Sequence, residues 1–296
     1  MLWRVFGFFN INKAPGPTSH DVVDAVRRML PRRTKVGHAG TLDPFADGVL
    51  VLCVGPATRL ADYVQAQEKR YIAQITLGAT SDTDDSTGRI TPASPPAAAP
   101  GEPAVRAAVE RMVGAIEQVP PAHSAVHVEG RRAYELARRG QSVALRPRQV
   151  TVYSMDVLEY EFPQLRLDIR CAGGTYIRAI ARDIGASLGV GGYCSALTRA
   201  AIGAFALEQS VRVESLVPSQ HLIDPLAAAP LLPRVPIGDY EIRRRLITGS
   251  EAVLDEPLAT AGQVAVTDIH GKLLALATVG SDRRTIRPDR VFERAG

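Results

Sequence analysis

Cysteine is scarce in this chain: Cys53, Cys171 and Cys194 are the whole supply in 296 residues. Their number is odd, their spacing wide, and no CxxC pair occurs. That excludes a disulfide framework and a thiolate zinc site, and it fits a reducing cytoplasm. No stretch reaches the ~18 consecutive apolar residues of a membrane span. The opening MLWRVFGFFNIN is apolar but short, without a long h-region or an A-x-A cleavage site, so a strand is expected there rather than a signal peptide. A large charge imbalance is also missing. The net charge is +4 and the pI about 9.1, which admits a polyanionic partner without demanding one; a local patch counts for more than the total. No GK[ST] follows the glycines of the early loop, which excludes an ATP-binding P-loop. The acidic stretch GATSDTDDSTG, Gly78 to Gly88, lacks the Gly and Glu that an EF-hand requires, so a calcium loop of that kind is excluded.

What is present is an ordinary globular composition, 46% hydrophobic and 22% charged, long enough for one large domain or two. The stretch GHAGTLDPFADGVLVLCV, Gly37 to Val54, stands out. Its second half is a short apolar run that reads as a buried strand. Its first half is small and turn-prone, with Gly37 and Gly40 allowing close backbone approach. Asp43 sits between the two halves, and Pro44 pushes it out of the α region. A carboxylate on a tight loop at the edge of a core element is a functional candidate. The plainer alternative is a helix start, with Asp43 as N-cap and Pro44 at the first helical position.

Elsewhere the pattern predicts a strand over 5–12 and a helix over Asp21 to Leu30, capped by Thr18 or Ser19. It predicts a further helix over 57–66, a strand from Tyr71, and an exposed Pro- and Ala-rich connection over 91–104. A helix over 104–115, strands over 150–160 and 165–171, and a helix over 177–188 follow. The basic cluster Arg27, Arg28, Arg32, Arg33 and Lys35 leads into the central loop; it is either a solvated face or a phosphate contact. Arg178 lies near a helix start, unfavourable for the helix dipole, which points to an anionic partner.

The Gly37–Val54 stretch, continuing to GPATRL at Leu60, resembles the motif around the catalytic aspartate of TruB-type tRNA pseudouridine synthases. Five other blocks resemble the same family: the Lys13–Ser19 stretch, with Ala14 where Pro is usual; Lys69–Arg70–Tyr71; the 78–88 loop; Gln118–Gly140; and GTYIR at 174–178. In the fourth, His123 and His127 depart from the usual residues. Leu197–Thr198–Arg199 also looks like a family stretch, but Ala200 departs from it and nothing is carried over. The resemblance implies Asp43 as nucleophile, Tyr71 facing the target base, and Arg178 paired with Asp43 as the catalytic set. It implies His38 as a binding residue that helps splay the T-loop bases. Lys13 is expected to support the active-site loop and is grouped with the substrate- and RNA-contacting residues; a solvated surface lysine is its plainer reading. Arg131, Arg132, Arg138 and Arg139 form an expected RNA-gripping segment. Gly37, Gly40, Asp82 and Asp85 are expected to order loops.

The fold expected from this resemblance is α+β, a mixed, largely antiparallel pseudouridine-synthase-like sheet with flanking helices. A catalytic domain over 1–235 and a small PUA-like β domain over 236–296 are expected, the latter with a hairpin turning at His270–Gly271. The implied activity is conversion of uridine to pseudouridine at position 55 in the T loop of tRNA, by a monomeric cytoplasmic protein that needs no cofactor, metal or membrane. Two other classes stay open: an RNA-binding or RNA-folding protein with an idle site, and a hydrolase using Asp43 and Asp47 as paired carboxylates.

Overall fold

The computed structural model describes residues 5–93, 98–122, 127–128, 131–132 and 145–293, with backbone alone for 127–128 and 131–132. Strand β1 (Gly7–Lys13) is followed by helix α1 (Ser19–Arg28), β2 (Val36–His38) and β3 (Asp47–Val54). A 3₁₀ stretch over Gly55–Leu60 leads into α2 (Ala61–Ala66), then β4 (Lys69–Leu77) and the small ladder β5 (Ala79–Ser81) with β6 (Ile90–Pro92). Helix α3 (Glu102–Glu110) and β7 (Gly114–Gln118) come next, then the pair β8 (His127–Val128) and β9 (Arg131–Arg132). The long hairpin β10 (Arg148–Glu161) and β11 (Gln164–Cys171), α4 (Ile177–Ser187), β12 (Gly192–Ile202) and β13 (Phe205–Ala206) complete the first unit. Its sheet runs β1-β3-β12-β4-β11-β10-β7, with β2 on β3 and β13 on β12. Every pairing is antiparallel except β3 with β12, so the sheet is mixed and largely antiparallel.

Strand β3 shows why the sequence runs apolar without alternation there. Leu50, Leu52 and Val54 enter one core with Ile75, Leu167 and Ile180, while Val49, Val51 and Cys53 enter a second core on the opposite face. Each fully buried side chain of this kind contributes roughly 1.5–3 kcal/mol, so the strand that follows the Asp43 loop is a firm base for it. The outer edge of β1 is not left bare: Phe8 exchanges backbone hydrogen bonds with Ile223, and Asn12 N–H donates to Val211, covering an edge that would otherwise invite pairing. Helix α1 takes Thr18, one of the two expected caps, and runs Ser19–Arg28 rather than Asp21 to Leu30. Thr18 accepts from Asp21 N–H while Asp21 accepts from Thr18 N–H, a capping box, and Val22, Val23 and Val26 turn inward.

The C-terminal part forms a second, five-stranded sheet, β14-β16-β17-β18-β15, from β14 (Arg234–Pro236), β15 (Ala252–Val253), β16 (Gly262–Thr267), β17 (Leu273–Val279) and β18 (Thr285–Val291), with helix α5 (Tyr240–Ile247) against it. β14 lies across the expected 235/236 boundary and pairs with β16. The hairpin of β16 and β17 turns where expected: Asp268 accepts from His270 and Lys272 N–H, and Gly271 has φ 83. Ala265, Leu273, Leu276 and Phe292 of this unit join the second core beneath β1 and β3.

Three expectations are corrected. The helix-start reading of Asp43 fails: no helix follows it, Ala46 N–H closes a turn onto the Asp43 carbonyl at 3.1 Å, and β3 starts at Asp47. The helix over 57–66 is split, because Pro56 opens a 3₁₀ segment before α2 takes over. The helix over 104–115 starts earlier and ends at Glu110, since the chain must turn at Gly114 (φ 102) to enter β7. Its start and the last two residues of β6 (Ile90–Pro92) fall within 91–104, the stretch expected to be an exposed connection.

Candidate active site

The site is built where three elements meet: the loop before β3, the start of α4, and the loop between β5 and β6. Asp43 presents a carboxylate that is 33% exposed, and the Arg178 Nε lies 2.9 Å from its Oδ2. Arg178 itself is 4% exposed. Its Nη1 donates to the Thr83 carbonyl at 2.9 Å and to Asp85 Oδ2 at 3.1 Å. The guanidinium is thus shared by two carboxylates. Asp85 is anchored in turn, accepting from the Thr83 hydroxyl and from the Thr87 N–H and hydroxyl. The anionic partner that the helix dipole called for is therefore a pair of carboxylates. Burial pushes the Asp43 carboxyl above the usual range, Arg178 pulls it down, and Asp85 pushes it up again. The net effect is a rise, although the arginine neighbour alone would lower the carboxyl.

Tyr71 lies on β4, facing inward, 9% exposed, and register-paired with Arg199 and Ile169. Burial raises its phenol, Arg199 opposes this, and the Asp43 charge acts on it too. A strand's alternation explains the orientation: Tyr71, Ala73 and Ile75 point to the core, whereas Ile72 and Gln74 line a hollow on the other face. That second hollow is therefore separated from Asp43 by the sheet.

Sequence names Arg199 only within the family-like Leu197–Thr198–Arg199 stretch and assigns it no role. It is 2% exposed, and its Nε, Nη1 and Nη2 donate to the carbonyls of Val49, Thr41 and Gly40 at 2.7, 3.1 and 3.2 Å. One guanidinium ties both ends of the Asp43 loop to β12. Gly48 makes the approach feasible: it has φ 98, and a Cβ there would lie 2.4 Å from the Arg199 carbonyl. The departure at Ala200 kept a role from being carried over to it, and a cation inside an ordinary β pattern gives no sign of its own that it is buried against the Asp43 loop.

The model of the TruB family pseudouridylate synthase N-terminal domain matches residues 27–177. The chain is 40% identical to the tRNA pseudouridine synthase B of Microcystis aeruginosa over 98% of this chain and 100% of that protein. The chain belongs to the TruB family. The tRNA pseudouridine synthase B of Thermobifida fusca is 41% identical over 92% of this chain and 94% of the relative. A solved H/ACA ribonucleoprotein bound to a substrate RNA containing 2′-deoxyuridine matches with a TM-score of 0.73, 24% identity, 97% of this chain and 85% of that one; that likeness shows the fold.

In this TruB-family chain Lys13 is not at the surface. It is 1% exposed, and its Nζ donates to the carbonyls of Ala14, Pro17 and Pro44 at 2.8, 3.0 and 3.4 Å. Both the solvated reading and its grouping with RNA-contacting residues are corrected, because a buried ammonium surrounded by carbonyls does not reach a phosphate. Instead Lys13 ties the 13–17 turn to the residue after Asp43. Burial lowers its pKa, and Asp47 is the largest charge opposing this. Asp47 is not the second carboxylate of a catalytic pair: the acidic neighbour that acts on Asp43 is Asp85, across Arg178.

His38 ends β2, half-buried, with its Nδ1 buried and unpartnered among the described residues. Burial, then Arg199 and His20, push its pKa down, which favours the neutral ring. Asp82 accepts from Arg89 N–H at 2.8 Å and holds the 82–89 loop. Gly40 has φ 111, which explains a glycine there; Gly37 lies in β2, with nothing nearer a Cβ than Thr58 at 4.0 Å, and no close approach requires it. Arg131 and Arg132 form β9; Arg138, Arg139 and His123 lie outside the described residues. The three thiols are buried and free, with burial raising Cys53 to about 12 and Cys171 to about 11. Among the described residues no cluster of three or more His, Cys, Asp or Glu is arranged to hold a metal ion, and no helix is long and apolar enough to cross a membrane.

A second basic feature adjoins β2. Arg28, Arg32, Arg33 and Lys35 are exposed around a hollow of about 1090 Å³ that also touches Val36. Among the described residues none of the four has an acidic side chain within ion-pair distance, whereas Arg27 is paired with Asp24 at 2.6 Å.

Proposed function

We propose that this chain isomerises uridine to pseudouridine in tRNA, at position 55 of the T loop. The observation that carries the reading is the partly exposed Asp43 carboxylate held at 2.9 Å by the buried Arg178, in a chain of this family. The reaction breaks the N1–C1′ bond, turns the uracil while it is held, and forms a C5–C1′ bond. The C5 proton is lost and N1 gains one, so every other atom of the product comes from the substrate. Asp43 is the nucleophile, toward C1′ or toward the base. Arg178 favours the ionised form that attack requires, against the burial that opposes it, and orients the attacking oxygen.

The target base must leave the stack to reach a carboxylate in this recess. Tyr71 supplies a ring face for the flipped base and a hydroxyl within the site, and its elevated pKa keeps that hydroxyl protonated as a donor. Neutral His38, beside the loop, suits contact with bases better than with phosphates. The unpaired cations around the 28–35 hollow and the arginine-rich 131–139 segment supply phosphate contacts. The C-terminal β unit is read as PUA-like and the protein as a cytoplasmic monomer acting on the T arm.

The test is direct. The protein is incubated with an unmodified tRNA transcript, and pseudouridine is mapped along the RNA. Wild type should form it at position 55. Asp43→Asn, which keeps size and hydrogen-bonding shape, should bind RNA as wild type does and lose several orders of magnitude in rate. Tyr71→Phe should keep binding and lose turnover. An Asp43→Asn protein that still isomerises uridine at a near-normal rate would leave only an RNA-binding protein.

A further inference from the structure

Arg178 must satisfy Asp43, Asp85 and the Thr83 carbonyl together, so the start of α4 has to be placed closely. Its N-terminus has no side-chain cap of its own. Gln118, the last residue of β7, takes that part. It is 0% exposed, its Nε2 donates to the Tyr176 carbonyl at 3.0 Å, and its Oε1 accepts from the Tyr176 N–H at 2.7 Å. Both polar groups of the residue before α4 are thus read by one side chain, which fixes that residue in place and in rotation. Directly across the ladder from Gln118 is Arg148, the first residue of β10. Its Nη2 donates to the Gly174 carbonyl at 2.9 Å, and its guanidinium lies 4.5 Å from the Tyr176 ring centre. A cross-strand pair therefore holds the 174–176 turn from which α4 departs. One helical turn on, Arg182 donates to the carbonyl of Val119 at 3.0 Å and to Asp84 at 2.9 Å, tying the helix to the same strand end again.

We propose that Gln118 and Arg148 are positioning residues for the isomerisation, a clamp on the 174–176 turn that sets where Arg178 meets Asp43. Neither touches the Asp43 carboxylate; both act through α4. The inference rests on Asp43 and Arg178 having the roles given above. A shift of about one ångström in a positioning group costs about a hundredfold in rate, and α4 has no other side-chain anchor at Tyr176 among the described residues.

The experiment uses the full chain with saturating unmodified tRNA transcript, under single turnover, with RNA affinity measured separately. Gln118→Ala should lower the rate about ten- to a hundredfold while RNA affinity stays within about twofold. Gln118→Glu keeps the acceptor for Tyr176 N–H but loses the donor, and should fall between. Arg148→Ala should lower the rate at saturation, with partial recovery in Arg148→Lys, which keeps a donor for Gly174. The decisive readout is the double variant. If Gln118 works through Arg178, then Gln118→Ala in an Arg178→Ala background adds less than about twofold, whereas an independent structural lesion multiplies in full. A wild-type rate in Gln118→Ala, or full multiplication in the double variant, overturns the clamp. Should Gln118→Ala fail to fold, Gln118→Glu and Arg148→Ala at wild-type rates overturn it equally. Asp43→Asn separates the two levels: if it is active, the catalytic reading itself fails and the clamp with it; if it is inactive while the Gln118 and Arg148 variants react normally, only the clamp fails.

Discussion

At Asp43, burial and a guanidinium act against each other. Arg178 favours the charged carboxylate, while desolvation and Asp85 favour the neutral one, and the balance lies above the ordinary value of 3.8. The sign for activity follows. The nucleophile must be ionised; as pH falls through a raised pKa, it is protonated earlier than an unperturbed aspartate would be. The single-turnover rate should therefore show an acid limb centred above 3.8, with circular dichroism unchanged over the same range. A limb at or below 3.8 would contradict the raised pKa. The same tension explains why sequence showed the pair but not its balance. A motif reveals that Arg178 and Asp43 belong together; it does not reveal that Arg178 also serves Asp85, nor that burial and Asp85 together act against the arginine. Lys13 teaches the converse. A lysine beside a Pro-Gly-Pro turn reads as solvated, and only the fold shows three carbonyls converging on its Nζ.

Among elements, those with strong local signals were legible and those defined by partners were not. The apolar run of β3 and the presence of α1 announce themselves, while the choice between Thr18 and Ser19 as its cap is made only by the structure. The loop before β3 does not, because Asp-Pro suits a helix start locally, and the ladder to β12 decides against one. That ladder is where Arg199 acts. Its three nitrogens reach carbonyls of Gly40, Thr41 and Val49 at once, a fork that lysine cannot reproduce. Arg199→Lys should therefore leave carbonyls of the Asp43 loop unpaired, at a cost of about 1–3 kcal/mol. Denaturant melts should show that loss, and the rate on saturating RNA should fall with RNA affinity little changed. If stability and rate both match wild type, the loop does not depend on this strap. Gly48, which lets the two backbones meet, carries no more signal in the sequence than any strand glycine; that a Cβ there would lie 2.4 Å from the Arg199 carbonyl appears only when β12 is in place.

Across the whole molecule, two sheets are joined by a common core and a polar rim. Phe6 stacks on Phe292 with ring centres 5.4 Å apart, Arg59 lies 4.7 Å over the Phe292 ring, and Arg290 meets both oxygens of Asp62. This fixes the C-terminal unit behind β1 and β3. The unpaired cations of the 28–35 hollow lie next to β2, the strand that ends in His38. A net charge of only +4 conceals this local concentration, and the local concentration is what an RNA backbone meets. Each phosphate contact through a cation contributes about 0.7–0.9 to the slope of log affinity against log salt. Arg28→Ala with Arg33→Ala should thus weaken tRNA binding and flatten that slope by about 1.4–1.8, while the rate at saturation stays near wild type. Arg106→Ala is the control, since Arg106 is already paired with Glu102 at 2.6 Å and should leave the slope unchanged. The pair Arg132→Ala and Arg139→Ala, measured beside it, divides the backbone grip between the hollow and the arginine-rich segment. An unchanged slope in the Arg28 and Arg33 variant would make the hollow a solvated face, and would assign the phosphate contacts of this protein to cations elsewhere on the chain.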